Sequence, residues 1–123
     1  MMNDKDILAM TIAANAIWTD FAKLTVDVNI HPDTNLPISV EACVISNKGT
    51  VLMRGRDVSL TDGVPGKEDA MDQAWGSLKE KVAAEIIMFD RYAQTEMDKQ
   101  VSHYQSKIKH WKNMLTILYP QEG

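Results

Sequence analysis

Cysteine is nearly absent from this chain: Cys43 is the only one among 123 residues, so no internal disulfide can form. A lone thiol fits a reducing compartment. Apolar runs long enough to cross a bilayer are also missing. The most apolar N-terminal stretch, residues 7–18, is too short. The opening MMNDKDILAM starts with acids and lacks a basic leader region. A cytoplasmic protein with no membrane association is expected. No GxGxxG, Walker loop, GxSxG, HExxH or CxxC occurs, which removes the common nucleotide, hydrolase and zinc signatures. His103 and His110 lie seven residues apart, about 10.5 Å along a helix, too far to share one metal whose ligands sit at about 2.0–2.1 Å. The sequence therefore offers no catalytic residue, cofactor or metal site, and a non-enzymatic protein is expected.

Proline and glycine are scarce where it matters most. Residues 67–119 hold no proline, and Gly76 is their only glycine. Met71, Trp75, Leu78, Val82, Ile86, Phe89, Ala93, Met97, Val101, Tyr104, Ile108, Trp111, Leu115 and Leu118 recur there at a mean spacing of about 3.6 residues, the helical period. This long helical region is nearly half the protein. One straight helix of that length would reach about 80 Å, whereas a compact chain of this size has a radius of gyration of only about 14 Å. Either it turns back as a hairpin, with Thr95 as N-cap of a second helix near residues 94–99, or it projects and meets a partner.

The part beyond that point tightens into a heptad. Met97, Val101, Tyr104, Ile108, Trp111, Leu115 and Leu118 alternate steps of four and three, as a coiled-coil seam does. With aromatic Tyr104 and Trp111 in the seam, an antiparallel or bundled packing is expected in place of a leucine zipper. A homodimer joined through this seam is the resulting expectation, unless the same stripe packs inside the monomer.

Ahead of the long region the period changes twice. Asn3 is placed to cap a helix over residues 4–19, with Asp6 three residues on and Ile7, Met10, Ala14, Ile17 and Phe21 along one face. Leu24, Val26, Val28 and Ile30 then alternate with Lys23, Thr25, Asp27 and Asn29, the pattern of a half-buried strand. His31-Pro32-Asp33-Thr34-Asn35-Leu36-Pro37 ends it as a turn. Ile38, Val40, Ala42 and Val44 mark a second strand, with Ser39, Glu41 and Cys43 on its other face. Asn47-Lys48-Gly49 is a hairpin turn. A third strand over residues 50–58 puts Arg54 and Arg56 on one face, where they could meet an anion. The expectation is an α+β fold of order α-β-β-β-α(α): a three-stranded antiparallel sheet with helices on one face and a long C-terminal helical region. Residues 1–123 read as a single domain, divided into a helix-plus-meander part (1–66) and the helical part (67–119).

Charge is low in total, at −4, but uneven. Residues 1–96 hold 9 basic and 15 acidic side chains, while 97–119 hold Lys99, Lys107, Lys109 and Lys112 against Asp98. Two candidate surfaces follow. The acids Asp57, Asp62, Glu68, Asp69 and Asp72 could face a protein partner. Alternatively, the four C-terminal lysines with Tyr104 and Trp111 could hold a nucleic-acid strand by charge and stacking.

The helix-meander-helix order over residues 4–92 resembles the double-stranded RNA-binding domain. That family grips phosphate with a lysine-rich start to its second helix. Here the matching stretch is Gly66-Lys67-Glu68-Asp69-Ala70-Met71-Asp72, whose three acids would repel phosphate. In size, acidity and layout, the chain with its further terminal helix is also similar to some small phage-encoded inhibitors of bacterial defence, certain anti-CRISPR proteins among them. That resemblance implies a phage accessory protein that occludes or organises a protein partner, and this is the leading expectation. A nucleic-acid-binding module is the alternative.

Overall fold

The computed structural model describes residues 3–60, 65–96 and 101–120, the side chains of 101–103 excepted. The first helix, α1, runs Asp4–Ile17. Its start is fixed as the sequence suggests, with the Asp6 N–H donating to Asn3 Oδ1 at 2.9 Å. It ends two residues earlier than expected. The Trp18 N–H still donates to the Ala14 carbonyl at 2.9 Å, but Trp18 is already extended and leads into the sheet.

Strands β1 (Phe21–Ile30) and β2 (Pro37–Ser46) form an antiparallel pair, with Thr25 opposite Cys43 and Asp27 opposite Glu41. The turn between them is closed by the His31 N–H donating to the Leu36 carbonyl at 2.9 Å. The His31 ring assists, Nδ1 accepting from the Asp33 N–H at 3.1 Å. In the next turn Gly49 takes φ 82, which a side chain would resist. The Ser46 hydroxyl gathers the N–H groups of Lys48 and Thr50 there.

The expected single third strand is in fact two, β3 (Val51–Arg54) and β4 (Val58–Ser59), both paired with β2. The break has a steric origin. Gly55 donates to the Ala42 carbonyl at 2.8 Å and lies against the second helix. A Cβ there would stand 3.1 Å from both the Ala74 carbonyl oxygen and the Leu78 nitrogen. The next N–H, that of Arg56, leaves the ladder and donates to Ser77 Oγ at 2.7 Å. Arg54 and Arg56 therefore do not share a strand face. Arg54 stays on the sheet's open face, 3.8 Å from Glu41, while Arg56 turns to Gln73 on the second helix.

That helix, α2, spans Lys67–Glu96, and α3 spans Val101–Leu118. They form an antiparallel hairpin, not one rod. Phe89 stacks on Trp111 with centroids 5.1 Å apart, and ten residues back along α2 Lys79 Nζ lies 4.6 Å from the Tyr119 ring. Thr95 is not the N-cap of α3. It sits inside α2 and its hydroxyl donates to the Arg91 carbonyl at 2.9 Å. The class is α+β, as expected. Helices α1 and α2 cover one face of the sheet, and α3 packs on both of them. Small residues on α1, β2 and α2, namely Ala13, Ala14, Ala42, Ala70 and Ala74, let those backbones approach. Met10, Val40, Val44, Leu78, Val82, Ile86 and Leu118 fill the core between them. Among the described residues, no helix is long and apolar enough to cross a membrane.

Candidate functional site: an apolar groove between the helices

The heptad stripe of α3 is where the structure departs most from a free interface. Leu118 is 1% exposed and belongs to the main core, and Trp111, Met114 and Leu115 pack against it. Tyr104 and Ile108 are half-buried. Met97 lies outside the described residues, as does the side chain of Val101. Leu118, Trp111 and Leu115 are thus directed inward, whereas Tyr104 lines an open groove and Ile108 lies beside Gln94 of α2 at the surface. Internal packing, the exception allowed to the dimer expectation, accounts for Trp111, Leu115 and Leu118.

The acidic group is not drawn into one site. Asp57 accepts from Asn29 Nδ2 at 3.4 Å, beside Ser39 on the open face of the sheet. Glu68 and Asp69 occupy the first turn of α2, on the opposite layer, where the helix dipole favours acids. Asp72 is half-buried one turn further on, and Asp62 lies outside the described residues. The lysines also diverge. Lys107, Lys109 and Lys112 are exposed, but at 100° per residue Lys107 points about 160° from Lys109, while Lys109 and Lys112 share a side of α3 about 60° apart. Lys99 lies outside the described residues. Trp111, the expected stacking partner for a base, already holds Phe89 on its face and His110 at its edge.

What the elements do assemble is a groove of about 720 Å³. It lies between the end of α1 (Ala16), the last turns of α2 (Met88, Phe89, Tyr92, Ala93) and the first turns of α3 (Tyr104, Lys107, His110, Trp111). Its size falls in the range of built ligand and peptide sites, about 300–1,000 Å³. The groove forms where the end of α1 meets the stacked Phe89–Trp111 pair that joins α2 to α3. Met88 is 53% exposed and Tyr92 61%, so a large apolar surface faces solvent there. An i, i+4 row of α1, Leu8 and Ile12, leads to Ala16 and extends that surface with two more exposed side chains. The polar rim carries one cation: Lys107 Nζ lies 5.3 Å from the Tyr104 ring centroid, and the His110 imidazole follows one turn on. The sequence carried a trace of this site in Met88 and Tyr92, an apolar i, i+4 pair off the main stripe.

Cys43 sits elsewhere, buried in β2 on the open face of the sheet. Burial raises its pKa above the ordinary 9.0, and the Glu41 carboxylate adds to the rise while Arg54 opposes it. It is therefore a protonated, packed thiol and not an activated nucleophile. Among the described residues no three His, Cys, Asp or Glu side chains converge as metal ligands would.

Comparison with family models, curated proteins and solved structures finds no match to this chain.

Proposed function

We propose that this is a small non-enzymatic binding protein that occludes or organises a protein partner, and that the α1–α2–α3 groove is its working surface. The observation that carries the reading is the pairing of exposed Met88 and Tyr92 with a groove whose floor is aromatic. Exposed contiguous apolar surface of this kind is expensive to keep in water and marks interaction sites. The groove's shape suits the apolar face of an amphipathic helix, a common mode of groove recognition. Lys107 at the rim favours an acidic residue flanking that face. A cytoplasmic location, supported by the single reduced thiol, belongs to the same reading.

Pulldown from a cell lysate with the wild type and with a Met88→Glu/Tyr92→Glu variant tests it. Both positions are exposed, so the variant is expected to fold and to lose the captured protein. Equal capture by both forms would refute the groove as the binding surface. A gel shift that weakens steeply with salt would replace the proposal with nucleic-acid binding.

A further inference from the structure

The sheet ends at β1, and the residues along that free edge are self-complementary. β1 pairs with β2 alone, and β2 is closed on its other side by β3 and β4. The hydrogen-bond parity of the sheet is readable. On β2 the carbonyls of Ile38 and Ala42 accept from Leu60 and Gly55, so the even residues of β2 face away from β1 and its odd residues face it. Their partners Thr25, Asp27 and Asn29 therefore bond inward. The N–H and C=O groups of Leu24, Val26 and Val28 point out from the edge, unpaired within the described sheet. Their side chains are only half-buried, although they pack on the core. Proline is absent from the strand, so no missing donor blunts the edge.

We propose that a second copy of this chain pairs with β1 along this edge, antiparallel about a two-fold axis through Thr25, to make one continuous sheet. Outward-facing groups can meet only in registers two residues apart, and charge selects among them. With the axis at Thr25, Lys23 lies opposite Asp27 of the second copy, and Asp27 opposite its Lys23. Moving the axis to Asp27 opposes two carboxylates, and moving it to Lys23 opposes two ammonium groups. An axis at Leu24 or Val26 leaves both charges without a counter-charge opposite. In the selected register Leu24 and Val26 exchange both backbone hydrogen bonds with Val26 and Leu24 of the other copy. Lys23–Asp27 and Thr25–Thr25 fall at the positions where opposed side chains come closest. Asp27 already accepts from the Thr25 hydroxyl through one oxygen, at 3.4 Å, which leaves the other for the incoming ammonium. On the helical face, Leu24 and Val26 meet their counterparts and lose the exposure that an edge imposes. This assembly uses neither the α3 stripe nor the groove, so it stands apart from the proposed partner site.

Charge reversal tests it, because Lys23 and Asp27 are four residues apart on an extended strand and do not meet within one copy. Sedimentation or light scattering is expected to show a dimer whose dissociation constant rises about tenfold or more in Lys23→Asp and in Asp27→Lys, since two pairs turn repulsive at once. The double variant is expected to return toward wild-type affinity. In a Cys43→Ser background, Thr25→Cys is expected to form an inter-chain disulfide on oxidation, since opposed Cα atoms at such a position are about 4.5 Å apart. A monomeric wild type would overturn the proposal. So would a dimer indifferent to the single reversals, or one that the double reversal fails to restore.

Discussion

Two glycines show how much a single missing Cβ can decide. At Gly55 a methyl would lie 3.1–3.2 Å from backbone atoms of Ala74, Leu78 and Ala42, none of which can rotate away. Gly55→Ala must part β3 from α2, and urea denaturation is expected to show a loss of about 1–3 kcal/mol, the usual cost of overpacking. At Gly76, inside α2, a methyl meets nothing within 4 Å. Gly76→Ala is expected to raise stability by about 0.5–1 kcal/mol, by removing a helix-weakening residue. Cys43 gives a pH dependence of definite sign. Its folded pKa is raised above 9.0 by burial, then by Glu41. The stability tied to the protonated thiol is therefore full below pH 9 and declines as pH climbs toward the folded value. Reaction with a thiol reagent at pH 7 is expected to be slow in the native protein and fast once it is unfolded.

At the scale of elements, the starts of α1 and α2 and the order of the fold were legible because periodicity and capping act locally, whereas the end of α1 and the junction of α2 with α3 were not. Asn3 and Asp6 announce the start of α1, and alternation from Lys23 to Asn29 announces β1. Neither depends on what lies across the molecule. The break between β3 and β4 was not legible, since it arises from the approach of Gly55 to Ala74 and Leu78 of α2, 19 and 23 residues distant in sequence. The hairpin was legible only as one of two alternatives. A seven-residue repeat specifies that a stripe must be covered, not whether another chain or the same one covers it. The groove was least legible of all, because it is the space left between residues of three helices. Lys79 illustrates the tie that closes the bundle, reaching Asp6 of α1 at 3.7 Å and the Tyr119 ring after α3. Trp111→Ala removes the other tie, the stack on Phe89. Because the ring is only partly buried, it is expected to cost about 2–3 kcal/mol in chemical denaturation, below the usual range for a fully buried tryptophan.

The molecule as a whole is a sheet, two helices laid on it, and a third helix folded back over those two. Its outer features follow from that stacking. The C-terminal half of the α3 stripe is covered within the chain, and among the described residues the groove beside it and the β1 edge are two surfaces left open. The groove is apolar with one cation at its rim, and the edge is rich in unpaired backbone groups with one charge of each sign. Ile108→Asp puts a charge at a half-buried position of α3 beside Gln94 of α2. Thermal unfolding of that variant is expected to shift downward by several degrees, while any dimer present in the wild type persists in the folded fraction. The claim on which all of this rests is that Trp111 meets Phe89 of its own chain. An isotope-filtered NOE experiment on a mixture of labelled and unlabelled protein measures that directly. The expected result is a strong Phe89–Trp111 cross-peak within one chain and none through the filter. A cross-peak between Phe89 of one copy and Trp111 of another would contradict the account.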